Sequence, residues 1–365
     1  MDCMDPEFVK FYNKCLRDLP KSHHYPISEY RNNPSRFEQW RSADMIDKIS
    51  EPTYSDTSEI IEVPVSRPIG YIKVNVYNFK TKKGGFLNKL QPAYIHFHGK
   101  FLFEYYLCRL INFFTTGGGG VVGRAGVDDL FLRKVVEKTD AVVFDVEYRL
   151  SPEYRAPTAA YDGYDTLNYV ISKASKFHID EKRIAVGGVS AGANIAAVIC
   201  QLARDNAEIN KIVLQLLIVP VIDARIITAD GKLSSEISYE SWIKYKDNPV
   251  LPFDRMKWFH DHLFGPQGSQ ERERLIKDPH VSPICGNLKN VAPAFIGTAE
   301  IDVLRDEGKA YADALQKNGV KVEYNMYEKM PHSFLLSPLG FENSRKAIQD
   351  SISALDRAFN SQTNS

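Results

Sequence analysis

From Ile60 onward the chain alternates between two hydrophobic periods, and no other feature narrows the fold as much. Residues 60–65 and 71–79 alternate apolar with polar side chains, the pattern of half-buried strands. Residues 93–97, 141–146, 184–186, 212–219 and 294–296 are short β-rich runs. Helical stretches lie between them at 128–138, 159–172, 191–204 and 306–317. Strand and helix signals in alternation imply an α/β fold with a mostly parallel central sheet and helices on both faces.

Two regions fall outside that alternation. Residues 1–56 are polar and aromatic, contain no glycine and are broken by Pro26, Pro34 and Pro52. They read as a helical cap segment on a domain spanning 57–365. Residues 234–263 are rich in Trp, Tyr and Phe. They suit a helical lid inserted at about 223–265 between two strands. The formal charges cancel, with 46 basic and 46 acidic residues, so nothing favours a nucleic acid or an anionic membrane as partner. The five cysteines form no CxxC pair, which argues against a disulfide framework or zinc site and fits a reducing compartment. The N-terminus is acidic and lacks the apolar run of a secretory signal. No apolar stretch reaches the roughly 18 residues of a membrane helix. A cytoplasmic location is the expectation, and a homodimer stays open.

Gly188-Val189-Ser190-Ala191-Gly192 matches G-x-S-x-G. The pentapeptide alone is a weak signal, since a glycine-serine turn or a serine N-cap would look the same. Its setting strengthens it, because an apolar strand precedes it and an alanine-rich helix follows, as a nucleophile elbow requires. The glycines leave room for a sharp turn. Ser190 would then stand at a helix N-terminus, where free N–H groups favour a developing anion.

A nucleophilic serine needs a base, and the base an orienting acid. Residues 291–308 read as strand, loop and helix, with Asp302 just past the strand's carboxyl end. Glu300 and Asp306 are rivals, although Asp306 suits the first turn of the next helix. Residues 320–327 read as a further strand, and His332 lies in the loop after it. A lone loop histidine is more often a solvated side chain. The order serine, acid, histidine raises His332 above that reading.

These residues and four further stretches resemble the hormone-sensitive-lipase group of α/β hydrolases, which includes bacterial, arylacetamide and fungal esterases. The stretches are Ile95-His-Phe-His-Gly, Glu147-Tyr-Arg-Leu-Ser-Pro-Glu, Ala299-Glu-Ile-Asp-Val-Leu-Arg-Asp-Glu-Gly and Met330-Pro-His-Ser-Phe. The resemblance runs from about residue 60 to the C-terminus. It implies an α/β-hydrolase fold with Ser190 as nucleophile, Asp302 as acid and His332 as base. Val189 departs from the family, which often has Asp before the serine. Tyr148 to Glu153, and Asp162, read as scaffold rather than catalytic.

In this family a His-Gly-Gly-Gly loop supplies oxyanion donors. Here the match is split. His98-Gly99 follows the strand, but the glycine run resumes only at Gly117 to Gly120, after an excursion beginning at Lys100. Omitting residues 100–117 restores the family register, in which Gly118 and Gly119 donate together with Ala191. The segment reads either as a genuine lid element or as translated intron. Gly99-Lys100 can be written GGT-AAG and Thr116-Gly117 ACA-GGN, which supply donor and acceptor signals around 18 codons.

The resemblance implies a cofactor-free and metal-free carboxylic ester hydrolase acting on small short-acyl, aryl or acetyl esters. Three alternatives remain. One is a non-catalytic binding homologue, against which His332 argues, since the related gibberellin receptors lack that histidine. Another is a lyase on the same scaffold. The last is a product inactivated by the interrupted loop.

Overall fold

The computed structural model describes residues 3–15, 17, 21–32, 57–78, 89–99, 118–332, 334 and 341–361. Residues 33–56 of the N-terminal segment, Phe79, Cys108 and the whole of 100–117 lie outside the described residues. The order of elements is α1 (Pro6–Cys15), α2 (Ile27–Asn32), β1 (Thr57–Ser66), β2 (Ile69–Asn78), β3 (Gln91–Phe97), α3 (Asp129–Thr139), β4 (Val142–Glu147), α4 (Thr158–Ser172), α5 (Ala174–Phe177), β5 (Ile179–Val189), α6 (Ala191–Asp205), β6 (Ile212–Ile218), α7 (Glu240–Lys244), α8 (Phe253–Phe264), α9 (Gln270–Leu275), β7 (Ala294–Ile301), α10 (Arg305–Lys317), β8 (Val322–Pro331) and α11 (Glu342–Asn360).

The strands form one eight-stranded sheet in the order β1-β2-β4-β3-β5-β6-β7-β8. β1 pairs antiparallel with β2, and β2 with β4. Every other neighbouring pair is parallel. The central strands are largely apolar because both faces are covered. Tyr94, Val143 and Ala185 face α3 and α11, which contribute Leu132 and Leu355. Ile95, Phe144 and Val186 face α4, α6 and α10, which contribute Leu167, Ile199 and Leu315. The outer hairpin alternates instead: Val63 and Val74 are fully buried, whereas Ile60 and Tyr71 point to solvent.

The sheet is the mostly parallel one expected, with helices on both faces. Its strands run longer than the apolar runs, and β5 begins at Ile179 rather than Ile184. The excursion between β6 and β7 holds α7 and α8, and it continues through α9 and a 3-10 turn at Pro283–Cys285, beyond the expected lid. α1 packs through Phe8 against Phe341 at the start of α11. α2 sets Tyr30 against Trp258 of α8, with ring centroids 6.4 Å apart.

One polar group of side chains sits inside this core. His96 of β3 bonds Asp128 at 2.9 Å and the Tyr94 hydroxyl at 3.1 Å. Asp145, opposite His96 on β4, accepts the Gly126 N–H at 2.6 Å. Burial pushes the Asp145 carboxyl up to about 7.

Candidate active site

Three parallel strands deliver the site, β7 and β8 side by side and β5 separated from β7 by β6. β5 ends at Val189, β7 at Ile301 and β8 at Pro331. The next residue along each is Ser190, Asp302 and His332 respectively. Carboxyl ends of parallel strands are where α/β folds collect chemistry. Here they bring together three side chains separated by as much as 142 positions in sequence.

The strand-to-helix turn at Ser190 is tight. Ser190 has φ 58° and ψ −117°, a left-handed backbone that a side chain adopts at a cost. The turn is held by its N–H donating to the Ile218 carbonyl at 2.8 Å. The flanking glycines are required by contact. A Cβ on Gly188 or Gly192 would collide with the Phe97 carbonyl at the end of β3. Val189 is buried in the apolar core.

Ser190 Oγ lies 3.0 Å from His332 Nε2, and His332 Nδ1 lies 2.7 Å from Asp302 Oδ2. The carboxylate selects the tautomer with the proton on Nδ1, which leaves Nε2 to accept the serine proton. The other carboxylate oxygen accepts the Leu304 N–H at 3.1 Å. All three residues are at most 3% exposed.

The rivals have other partners. Glu300 accepts the Lys329 N–H at 2.7 Å. Asp306, in the first turn of α10, accepts the Ser241 N–H at 2.8 Å and pairs with Arg305. The neighbouring Glu307, which the sequence did not single out, is fully buried. It accepts from the Ile222 N–H at 2.7 Å and the Trp242 indole at 2.9 Å. Burial raises its carboxyl well above the usual range. The helix that follows Asp302 thus anchors the excursion between β6 and β7. Asn194 anchors it too, donating to the Val221 and Val281 carbonyls at 2.9 and 2.8 Å. Nothing in the sequence around Asn194 flagged this, since the bond depends on loops that come later in the chain.

His98 and Gly99 leave β3 against the elbow. A Cβ on Gly99 would run into the Val189 carbonyl. The His98 ring stacks on Tyr148 with centroids 4.3 Å apart, and the Tyr148 hydroxyl donates to the His98 carbonyl at 2.7 Å. Burial lowers the His98 imidazole to about 3, so it is neutral. Arg149 and Asp162 act as scaffold, joined at 2.6 Å, with Arg149 also donating to the Pro68 carbonyl at 2.7 Å.

The glycine expectation needs one correction. Gly119 and Ala191 both border the cavity beside Ser190, but Gly118 does not. Its N–H is turned onto the carbonyl of Gly99, because the chain rejoins the loop at that point. The cavity measures about 80 Å³. Its walls are largely apolar, with Met256, Phe259, Leu263 and Phe264 of α8 facing Pro157 and Ala160 at the start of α4. Among the described residues no cluster of three His, Cys, Asp or Glu side chains could hold a metal ion, and no helix is long and apolar enough to cross a membrane.

Comparison with known proteins places this geometry among relatives. A family model described as the alpha/beta hydrolase fold matches residues 113–336. The match begins inside the segment 100–117, so His98-Gly99 falls outside it. An AB hydrolase superfamily protein of Schizosaccharomyces pombe is 32% identical, with 98% of this chain and 95% of the relative covered. The carboxylesterase NlhH of Mycobacterium tuberculosis is 34% identical over 66% of this chain and 72% of its own. The hyperthermophilic esterase from the archaeon Pyrobaculum calidifontis superposes with a TM-score of 0.77 at 27% identity, with 97% of this chain and 98% of that one covered.

Proposed function

Because the chain belongs to the α/β-hydrolase family, in its hormone-sensitive-lipase-like group, we propose that it is a carboxylic ester hydrolase working through an acyl-enzyme on Ser190. The observation that carries this reading is the hydrogen-bonded series Ser190–His332–Asp302, at 3.0 and 2.7 Å, standing at the carboxyl ends of three strands of one sheet. In it, Ser190 Oγ attacks the ester carbonyl while His332 Nε2 takes the hydroxyl proton. Asp302 holds the ring and stabilises the imidazolium. The tetrahedral oxyanion receives the N–H groups of Ala191 and Gly119, which donate to no carbonyl among the described residues. His332 then protonates the departing alcohol. Water, deprotonated by the same ring, releases the acid.

The small apolar cavity favours a short acyl or aryl ester, an acetyl ester above all. Its walls are mostly hydrocarbon, with Arg149, His260 and His280 among the lining side chains. A series of nitrophenyl esters of increasing acyl length tests this. Turnover should be greatest for acetate to butyrate and fall sharply beyond. Equal or greater turnover of long-chain esters contradicts the substrate reading. Release of a product other than the acid and alcohol contradicts the reaction itself.

One observation favours a second reading for the chain as it stands. Gly118 spends its N–H on Gly99, so the oxyanion loop has one donor fewer than its relatives' His-Gly-Gly-Gly pattern would give. A chain with residues 100–117 in place then turns over slowly, and the form without them is the efficient enzyme.

A further inference from the structure

Gly119 sits in a tight turn. The Val121 N–H donates to the Gly118 carbonyl at 2.9 Å, and the two residues between, Gly119 and Gly120, have φ of 56° and 71°. Two positive φ angles at the centre of a four-residue turn are the mark of type I′. The Gly119 N–H is part of this turn and Gly119 borders the cavity beside Ser190, so whatever holds the turn also sets the donor. In an uninterrupted loop β3 would do this through a few residues of chain. Here 18 residues of sequence separate Gly99 from Gly118.

A different part of the molecule grips the turn. Arg31, in the last turn of α2, reaches across 90 sequence positions, its Nε donating to the Val121 carbonyl at 3.2 Å. Its Nη2 donates to the carbonyls of Val121 and Ser151. Its Nη1 donates to both carboxylate oxygens of Glu153, each at 2.7 Å. The ring of contacts closes through the Ser151 N–H, which donates to the Gly120 carbonyl at 3.0 Å. One planar guanidinium therefore locks the turn to the segment after β4, using donors fixed relative to one another. On the opposite side the Phe259 ring lies where a Cβ of Gly119 would be. Arg31 itself does not border the cavity.

We propose that Arg31 is a positioning residue for acyl transfer at Ser190, holding the Gly118 to Val121 turn so that the Gly119 N–H stays on the oxyanion. This rests on the esterase reading above. The donor matters only as charge develops, so loosening it lowers kcat and leaves substrate binding nearly untouched.

The test is steady-state kinetics on nitrophenyl acetate with the full chain and four variants: Arg31→Ala, Arg31→Lys, Glu153→Gln and Ser190→Ala. Arg31→Ala should lose on the order of ten- to a hundredfold in kcat, as sub-ångström displacement of a reacting geometry does, with KM within about twofold. Arg31→Lys should recover part of the loss, and millimolar guanidinium should restore part of it to Arg31→Ala. A merely structural role would move the thermal midpoint and KM together and would not respond to guanidinium. Should Arg31→Ala fail to fold, Arg31→Lys and Glu153→Gln still decide, because full kcat in both overturns the proposal. Full kcat in Arg31→Ala overturns it as well. If Ser190→Ala is inactive while the Arg31 variants are unimpaired, only this inference fails. If the parent chain shows no turnover that depends on Ser190, the esterase reading fails and this inference with it.

Discussion

The carbonyl of Gly99 accepts the N–H of Gly118, so the chain returns beside Ser190 to the place it left 18 residues earlier. The two glycines stand next to each other as consecutive residues of an oxyanion loop would.

Deletion of residues 100–117, joining Gly99 to Gly118, is therefore expected to raise both esterase turnover and the thermal midpoint. Closing the loop covalently frees the Gly118 N–H from its present partner and removes the closure entropy of the longer connection. Kinetics and melting of the two forms check this. Equal turnover would make the segment a working element of the enzyme, and transcripts always carrying its codons would exclude the intron origin.

Asp302 is the proposed acid, and its rivals are held elsewhere. Asp302→Asn and His332→Ala should each lower kcat by orders of magnitude, and adding either to Ser190→Ala should cost little more, since residues acting as one unit are not additive. Asp306→Asn should leave kcat within a few-fold and lower the melting midpoint instead, because Asp306 holds the Ser241 N–H at the start of α7. The reverse pattern, with Asp306→Asn inactive and Asp302→Asn active, would reassign the acid.

The buried Asp145 gives a pH signature of stability. Burial raises its folded-state pKa to about 7 from an ordinary value of 3.8. Between those values the folded state holds a proton that the unfolded state has lost, so the Asp145 contribution is fully present below about pH 4 and is lost as pH rises to about 7. His98 and His260, each lowered by burial to about 3, slope the other way and lose stability as pH falls below 6.5. Comparing urea midpoints of the parent and Asp145→Asn isolates the first term. The difference should shift in the mutant's favour between pH 4.5 and 7.5, and a constant difference would contradict it.

Much of this was legible in the residues. The alternation of runs announced the sheet, because buried parallel strands must be apolar and their crossovers amphipathic. Ser190, Asp302 and His332 could be placed because each follows a recognisable strand. What stayed hidden depends on contacts between distant parts of the chain. Arg31 looked like any exposed arginine in a polar segment, and its partners at Val121, Ser151 and Glu153 are 90 to 122 positions away. Glu307 gave no sign of its burial, since that follows from how α10 meets Trp242. The position of Gly118 turned on where the chain re-enters the loop, which no local pattern encodes.

The central claim is that Ser190 forms the acyl-enzyme, and the most direct measurement is the mass of the trapped adduct. The full chain treated with an alkyl fluorophosphonate should gain one phosphonyl group, and peptide mapping should put it on Ser190. His332→Ala should react far more slowly, and Ser190→Ala should not react at all. Stoichiometric labelling elsewhere, or undiminished ester hydrolysis by Ser190→Ala, would contradict the account.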